Sequence, residues 1–373
     1  MNPKLIARRA AGVGLSDIWE KVEASERLSV ADGLRLYEHD DLSLIGAMGD
    51  HVRRRLHGDR AYFNVNQHIN YTNLCNKLCK FCAFQRLPGQ DGAYCMTPDE
   101  AADEIRKRLD DPVTEVHMVA GVWPQLDYGY FLDLLRAVKA ARPSIHIKAF
   151  TMVEIEEIQR VAKKPLEEVF ADLMEAGLDS LPGGGAEIFA ERVHRALFPL
   201  KIGADRWLEI AGTAHKAGLR TNCTMMYGHI ETLEERVDHL DRLRTLQDET
   251  GGFQTLIPLS FHPDNTEMDD IKAPTAHDDL RNIAVSRLFL DNIPHIKAYW
   301  IMLGVPTAQM ALNFGADDID GTVTQERIYH DAGAQTPQAL SRPDLVQLIA
   351  DAGFVPVERD TLYNVVKVEE IPA

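Results

Sequence analysis

The sequence has few cysteines and lacks long apolar runs. Five cysteines in 373 residues are too few for a disulfide framework, so we expect a reducing compartment. No stretch is apolar over the roughly 20 residues that a membrane-spanning helix needs. Asp17 and Glu20 come too soon after the basic N-terminus for a signal peptide. We therefore predict a cytoplasmic protein that does not bind membranes.

Positive charge is also scarce. The chain has 40 Lys and Arg against 57 Asp and Glu, a formal net charge of -17. Nucleic-acid binding needs basic residues concentrated against phosphate, and no basic run is interleaved with aromatic residues here. A nucleic-acid partner is therefore excluded. The 45% of hydrophobic residues is ample for one large α/β barrel or for two ordinary domains.

Short apolar runs alternate with amphipathic segments along most of the chain. The runs end near Asn70, Val119, Ala149, Leu181, Met226, Leu259 and Trp300. The segments between them are 98–109, 128–141, 153–163, 166–176, 206–217, 233–247 and 276–291. This alternation predicts repeated βαβ units and a parallel sheet. Six or more units in about 260 residues favour a barrel over an open sheet.

Two flanking regions differ from this pattern. Residues 1–60 are predicted to be helical, with Ser16 and Ser29 as N-caps. Residues 321–373 are predicted to contain a helix over 342–352 and a strand around 355–357. We therefore predict an N-terminal helical extension (1–60), a barrel (61–320) and a C-terminal extension packed on the barrel (321–373).

Three cysteines form the most informative motif. Cys75, Cys79 and Cys82 have the spacing C-x3-C-x2-C directly after an apolar run. Thiolates are the ligands of iron–sulfur clusters, and three of them leave one iron of a cubane without a protein ligand. A structural zinc site instead needs a closed set of four ligands. Cys95 and Cys223 are isolated and have no assigned role, so a cluster is favoured over a zinc-binding scaffold.

A glycine-rich segment follows the fourth apolar run. Gly183, Gly184 and Gly185 permit close approach of a ligand to the backbone, and Glu187 is placed to accept hydrogen bonds from ribose hydroxyls. The competing interpretation is a tight turn before a helix, because glycine is the usual turn residue. No Lys-Ser or Lys-Thr pair follows, which excludes a phosphate-binding P-loop.

The cysteine motif resembles that of the radical S-adenosylmethionine (SAM) superfamily. This resemblance implies an α/β fold, the radical SAM (β/α) TIM-like barrel, and a [4Fe–4S] cluster that reduces SAM to a 5′-deoxyadenosyl radical. A reducing electron donor such as flavodoxin or ferredoxin would supply the electron. The resemblance assigns cofactor contacts to Phe81, Ala120, Gly121, Gly184, Glu187 and Tyr227. Ala120-Gly121 stands where the superfamily usually has two glycines.

Further segments resemble one branch of the superfamily, the menaquinone- and deazaflavin-pathway enzymes. These segments are 68–73, 82–86, 177–188 and 263–266. Gln85-Arg86 after the cluster motif, Lys148 at the end of the third run and His262 resemble the aminofutalosine synthases. The alternatives are the cyclic dehypoxanthinylfutalosine synthases and the deazaflavin-precursor synthases. An iron–sulfur electron carrier is disfavoured, because carriers are usually small and use four protein ligands.

The resemblance to aminofutalosine synthases implies a defined reaction. The 5′-deoxyadenosyl radical would add to the vinyl group of 3-[(1-carboxyvinyl)oxy]benzoate, and a carboxyl would leave as bicarbonate. The product would be 6-amino-6-deoxyfutalosine, a menaquinone precursor. A dicarboxylate substrate requires inward-facing cations or hydrogen-bond donors. The candidates are His68, Arg86, Lys148, His229 and His262. A hydrogen-bonded core histidine is the competing interpretation for His68.

Overall fold

The N-terminal region is helical, as predicted. The computed structural model describes residues 2–369. Its first helices are α1 (Pro3–Val13), α2 (Ser16–Ala24), α3 (Val30–Glu38) and α4 (Leu42–His57). Ser29 caps α3 in a reciprocal capping box with Asp32, so that prediction is confirmed. The Ser16 prediction is wrong, because Leu15 takes the N-cap position and Ser16 is already helical. No helix within residues 2–369 meets the length and apolarity of a membrane span.

Seven parallel strands form the main sheet in the order in which they occur along the chain. A first strand, β1 (Arg60–Asn64), precedes them and belongs to another sheet. The seven are β2 (Asn66–Ile69), β3 (Glu115–Met118), β4 (His146–Ala149), β5 (Ser180–Leu181), β6 (Arg220–Tyr227), β7 (Phe253–Ser260) and β8 (His295–Ile296). The predicted parallel α/β sheet is confirmed. Only the last run ends early, because Trp300 begins a helix and donates a hydrogen bond to Gly321 O at 2.9 Å.

Helices connect the strands as the amphipathic segments predict. They are α5 (Pro98–Arg106), α6 (Tyr128–Ala141), α7 (Met152–Ala162), α8 (Leu166–Ala176), α9 (Glu191–Leu197), α10 (Ala204–Lys216), α11 (Leu233–Thr250) and α12 (Ala276–Phe289). Reciprocal capping boxes fix the first residues of α5, α7, α11 and α12, through Thr97, Thr151, Thr232 and Thr275. Helix α9 has only seven residues and was not predicted.

A C-terminal segment connects the two edges of the main sheet. Helices α13 (Trp300–Leu303) and α14 (Val305–Ala311) lead into β9 (Asp318–Gly321). The amide of Ala298, beyond β8, donates to Asp318 O at 2.8 Å, and the amide of His68 in β2 donates to Thr324 O at 2.8 Å. Residues 318–324 therefore lie between the first and last strands of the curled sheet.

A second, four-stranded sheet joins the two ends of the chain. Helices α15 (Ile328–Asp331) and α16 (Arg342–Asp351) precede β10 (Val355–Arg359) and β11 (Val365–Val368). The strand order is β11-β10-β1-β9, and β1 pairs in parallel with both β10 and β9. The first strand of the predicted barrel region therefore pairs with the predicted C-terminal extension. The expected boundary at residue 320 falls inside β9.

Candidate active site

A cavity opens at the carboxyl ends of the parallel strands, where α/β sheets bind their ligands. Its volume is about 270 Å³. Residues just past β3, β4, β5 and β7 line it, among them Ala120, Thr151, Gly184 and His262. Cys75, Cys79 and Cys82 also line it. The cysteine motif and the glycine-rich segment, far apart in sequence, therefore share one cavity.

Backbone hydrogen bonds fold the cysteine loop tightly. The amide of Cys82 donates to Cys79 O at 3.1 Å, and the amide of Cys75 donates to Arg86 O at 3.1 Å. Gly121 lets this loop approach the end of β3, because a Cβ there would lie 2.3 Å from Leu74 O. The amide of Gly121 donates to Thr72 O at 2.8 Å. The small residue at 121 therefore sets the position of the loop against the sheet.

The three thiols fit an iron–sulfur cluster. Burial raises the pKa of Cys79 to about 12 and also raises the pKa of Cys82. Thiolates at such positions need a bound cation, which the irons of a cluster provide. Cys95 contacts Met96 O and Tyr130, and fully buried Cys223 contacts Thr255 O, so neither lines the cavity. The cavity therefore offers three thiolates and no fourth cysteine among residues 2–369.

A different cluster of ligand-type side chains lies outside the cavity. Among the described residues, only His57, His295 and Asp317 place three ligand atoms within 4.8 Å of one another. Arg287 forms an ion pair with Asp317 at 2.5 Å, and His57 Nε2 donates to Pro294 O at 2.8 Å. These contacts already use the carboxylate and one imidazole, so the cluster is a structural network. The cysteine sulfurs are not grouped as tightly, which disfavours a single zinc ion there.

The N-terminus of α7 connects the ends of three strands. Glu154 is fully buried and accepts hydrogen bonds from the Tyr71 hydroxyl at 2.6 Å, the Thr151 amide at 2.7 Å and the Ala120 amide at 3.2 Å. Burial raises the pKa of Glu154 to about 7 despite these donors. Ala120 therefore has its amide engaged by the protein, and Gly121 has its amide on Thr72 O.

The glycine-rich segment places a carboxylate in the cavity, where it meets an ammonium from the residues that follow α9. Glu187 has a φ of 48° and forms an ion pair with Lys201. A left-handed conformation at a non-glycine residue is strained and is common at functional sites. Burial opposes charge on Lys201, but the Glu187 carboxylate more than offsets it and raises the pKa of Lys201. The Lys201 Nζ also lies 5.6 Å from the centroid of the Phe81 ring.

Most predicted cofactor residues and two predicted catalytic residues line the cavity. These are Phe81, Ala120, Gly121, Gly184, Glu187, His68 and His262. The His262 Nε2 lies 2.9 Å from Met302 O, to which it donates a hydrogen bond. The His68 ring stacks on His117 with 4.6 Å between the ring centroids.

Lys148 does not line the cavity, although it was expected to face a substrate carboxylate. It is buried and forms an ion pair with Glu115 at 2.8 Å. Burial lowers the pKa of Lys148, and the nearby Lys297 and Arg359 lower it further, against the stabilising effect of Glu115. An unpaired buried ammonium is costly, and the fold satisfies this one within the protein.

Three other predicted residues are also engaged by the protein. The Tyr227 hydroxyl donates to Asp279 at 2.7 Å, and the His229 ring lies between Met226 O and Glu231. The Arg86 guanidinium donates to Ala83 O at 2.7 Å and to Gln85 O at 2.8 Å. None of the three lines this cavity, although Arg86 lines a neighbouring cavity that shares Cys75, Cys79 and Cys82 with it. These residues were predicted because they follow the ends of apolar runs, but that position does not determine the direction in which a side chain points.

The sequence reasoning missed several cavity residues. They are Lys77, His117, Lys201, Tyr299, Asp320, Glu326 and Tyr329. His117 had a usable signal, because it lies on an apolar run as His68 does, and the structure pairs the two residues in the β2–β3 register. Lys201 follows the unpredicted helix α9, and Asp320 to Tyr329 belong to the segment that crosses the sheet edges. No strand-end pattern marks these positions.

Comparisons with known proteins find similarity over nearly the whole chain. A model of the radical SAM superfamily matches residues 69–243, and one of the CofH/MqnC C-terminal region matches residues 250–371. The chain is 49% identical to the aminodeoxyfutalosine synthase of Thermus thermophilus, over 95% of this chain and 96% of that protein. It is 36% identical to the cyclic dehypoxanthine futalosine synthase of Halalkalibacterium halodurans, over 96% of each chain.

A solved structure supports the fold assignment alone. The chain superimposes on methylornithine synthase with a TM-score of 0.72, over 90% of this chain and 96% of that one. The two sequences are 18% identical, so the likeness concerns the arrangement of strands and helices.

Proposed function

We propose a reaction for this chain from its family: the chain belongs to the radical SAM superfamily and, within it, to the aminodeoxyfutalosine synthase family. The enzyme transfers the 5′-deoxyadenosyl group of SAM to the vinyl carbon of 3-[(1-carboxyvinyl)oxy]benzoate. One water is consumed, methionine and bicarbonate leave, and 6-amino-6-deoxyfutalosine enters menaquinone biosynthesis. The observation that carries this proposal is 49% identity across 95% of the chain to a synthase of that name.

Cys75, Cys79 and Cys82 would hold the [4Fe–4S] cluster that the superfamily uses with SAM. The cluster, when bound, supplies the one electron that cleaves SAM. A small reducing carrier such as flavodoxin or ferredoxin is the proposed source of that electron. Three cavity-lining thiols and no fourth cysteine among residues 2–369 support this arrangement, because an open iron site requires an incomplete protein ligand set.

The glycine-rich segment and the cysteine loop are the proposed SAM subsite. Glu187 would accept hydrogen bonds from the ribose hydroxyls. Its ion pair with Lys201 would hold the carboxylate in position. Gly184 lines the cavity, where a Cβ would lie only 3.1 Å from Thr151 Cγ2, and its carbonyl accepts a hydrogen bond from Trp207 Nε1 at 3.0 Å. Phe81 offers an apolar ring beside the cysteines. These contacts support binding of an adenosyl group next to the thiols.

Apolar side chains would protect the reacting carbon from water. Val119, Met226, Ile257, Leu259 and Met302 line the cavity between the cysteine loop and the C-terminal segment. A reactive radical needs such a dry enclosure, because water and polar hydrogens divert it. His262 lies among these residues with its Nε2 held by Met302 O, so it presents the rest of its ring to the cavity.

Isotope tracing separates this proposal from its alternative. The cyclic dehypoxanthine futalosine synthases are the runner-up, with 36% identity to one member. The reconstituted, reduced enzyme is incubated with SAM labelled with carbon-13 at the 5′ position and with the vinyl ether substrate. Addition predicts label within an adenosylated aromatic product. Hydrogen abstraction would instead give free labelled 5′-deoxyadenosine and an unlabelled product in equal amounts, and that result would overturn the proposal. A Cys79→Ala enzyme is the control, and it should consume neither substrate.

A further inference from the structure

Two histidines face each other on adjacent strands of the cavity wall. His68 on β2 and His117 on β3 occupy paired positions of the parallel register. Their rings are nearly parallel, with 5° between the planes and 4.6 Å between the centroids. Both rings line the cavity. The protein therefore presents two imidazoles as one flat, paired surface.

The pair has unused hydrogen-bonding capacity. His68 Nε2 is buried without a hydrogen-bond partner. The side chain of His117 is half-buried and forms no hydrogen bond with another residue of the described part of the chain. A buried polar atom without a partner destabilises the fold unless a ligand or a water completes its hydrogen bonds. Histidines that served only the core would have their nitrogens bonded, as His215 has to Thr250 and Thr221.

The charged groups around the pair are neutralised by one another. From the C-terminal segment, Asp320 pairs with Lys297 at 3.3 Å, and Glu326 pairs with His330 at 3.1 Å. On the strands, Glu115 pairs with Lys148 at 2.8 Å. Burial lowers the pKa of His68 and, together with His68 itself, that of His117. Both imidazoles are therefore neutral near pH 7 when no anion is bound.

The permanent cations of the cavity are committed elsewhere. Lys201 forms an ion pair with Glu187, and Lys77 lies 3.8 Å from Glu157. An aromatic dicarboxylate brings two negative charges into this cavity. Among the described cavity residues, the histidine pair is an uncommitted group that can meet one of these charges, by donating N–H hydrogen bonds and taking up a proton.

We propose that His68 and His117 together form the subsite for the ring carboxylate of an aromatic acid substrate. This inference rests on the proposed function, in which the vinyl carbon reacts beside the cysteine loop. The ring carboxylate is the charged group farthest from that carbon. The pair lies on the strands themselves, before the cysteine loop begins, and therefore suits that end of the substrate.

The test uses two inert probes and the full-length enzyme with its cluster oxidised and SAM present. One probe is 3-(carboxymethoxy)benzoate, and the other is the matching benzamide, which lacks only the ring charge. Calorimetry should show that the wild type prefers the benzoate by about ten- to hundredfold, as expected for a charge-assisted hydrogen bond. His68→Gln and His117→Gln should each reduce this preference to about threefold or less. His215→Gln, a buried histidine away from the cavity, should keep it.

A second readout needs no variant. Binding of the benzoate to the wild type should take up part of a proton at pH 6.5, measured from the heat in buffers of different ionisation enthalpy, and the benzamide should take up none. Equal affinity of the wild type for both probes, unchanged preference in the variants, or absence of proton uptake would each overturn the subsite. If the wild type binds the benzoate in this way but does not convert the vinyl ether, the proposed reaction fails and the subsite stands.

Discussion

Gly121 shows how one residue controls the position of the cysteine loop. A Cβ at this position would meet Leu74 O at 2.3 Å, a backbone atom of the loop that carries Cys75. We predict that Gly121→Ala destabilises the protein by about 1–3 kcal/mol, because backbone on both sides must shift. Iron retention after reconstitution should also fall. Chemical denaturation and iron analysis measure the two effects.

Gly203 supplies the matched control for this prediction. It precedes α10, and no atom lies within 4 Å of a Cβ placed there. Gly203→Ala should therefore cost no more than about 1 kcal/mol, the loss expected for alanine at an N-cap, and leave the iron content unchanged. Equal behaviour of the two variants would contradict the role assigned to Gly121.

Lys148 illustrates the difference between a buried charge and a substrate-binding charge. Removing one partner of a buried ion pair leaves the other uncompensated, at a cost of about 3–5 kcal/mol. We predict this loss for Lys148→Met in a denaturation experiment, since Glu115 would remain buried. The double variant Glu115→Gln with Lys148→Met should recover most of the stability. Weaker substrate binding by Lys148→Met at wild-type stability would refute this interpretation.

At the level of elements, the N-terminus of α7 makes stability depend on pH. Glu154 has its pKa raised to about 7 by burial, above the value of 4.5 for an exposed carboxyl. The folded protein therefore keeps a proton that the unfolded chain loses. The contribution of this proton to the free energy of unfolding is complete below pH 4.5. It declines by about 1.4 kcal/mol per pH unit as the pH rises towards 7.

Glu154→Gln should remove this dependence, because the amide stays neutral at every pH. The variant also loses one hydrogen-bond acceptor, which costs stability equally at all pH values. The difference in unfolding free energy between wild type and variant, measured from pH 5 to 8, should therefore change most below pH 7. Parallel stability profiles across this range would show that Glu154 does not titrate as described.

Local sequence signals predicted most elements but not all of their ends. Apolar runs and capping residues such as Ser29 are local, so strands β2 to β7 and helices α5 to α8 follow from them. Helix α9 has only seven residues, too few for a clear helical period. Trp300 continues an apolar run but leaves the strand, because its indole is held by Gly321 O from a distant segment.

At the scale of the whole molecule, the pairings that complete the fold could not be predicted. Periodicity identifies strands but not their partners, so the pairing of β1 with β10 and β9 had no signal. The connecting segment also has unusual backbone geometry, with positive φ at Asp320, Val323 and Gln325. Long-range contacts with β2 and β8 hold it there. Asp320 and Glu326 consequently reach the cavity without a strand-end pattern.

The predicted site residues also divide into those with a local sequence signal and those whose role depends on long-range contacts. The cysteines and the glycine-rich segment were predicted from their spacing along the backbone, and the structure brings both to one cavity. Lys148, His229 and Tyr227 could not be assigned in the same way, since the role of a side chain depends on nearby partners such as Glu115 and Asp279. Buried charged groups and hydroxyls usually have hydrogen-bond partners within the protein, so they are not available to a ligand.

The central claim is that three cysteines hold a cluster whose open iron faces the SAM subsite. Its most direct test is nitrogen-15 ENDOR spectroscopy of the reduced enzyme with SAM labelled at the amine. We predict about four irons per chain and a nitrogen-15 coupling to the cluster in the wild type and in Cys95→Ala. Cys75→Ala, Cys79→Ala and Cys82→Ala should lose both the iron and the coupling. Full iron content in these three variants, or a wild-type cluster that shows no coupling to labelled SAM, would contradict the claim.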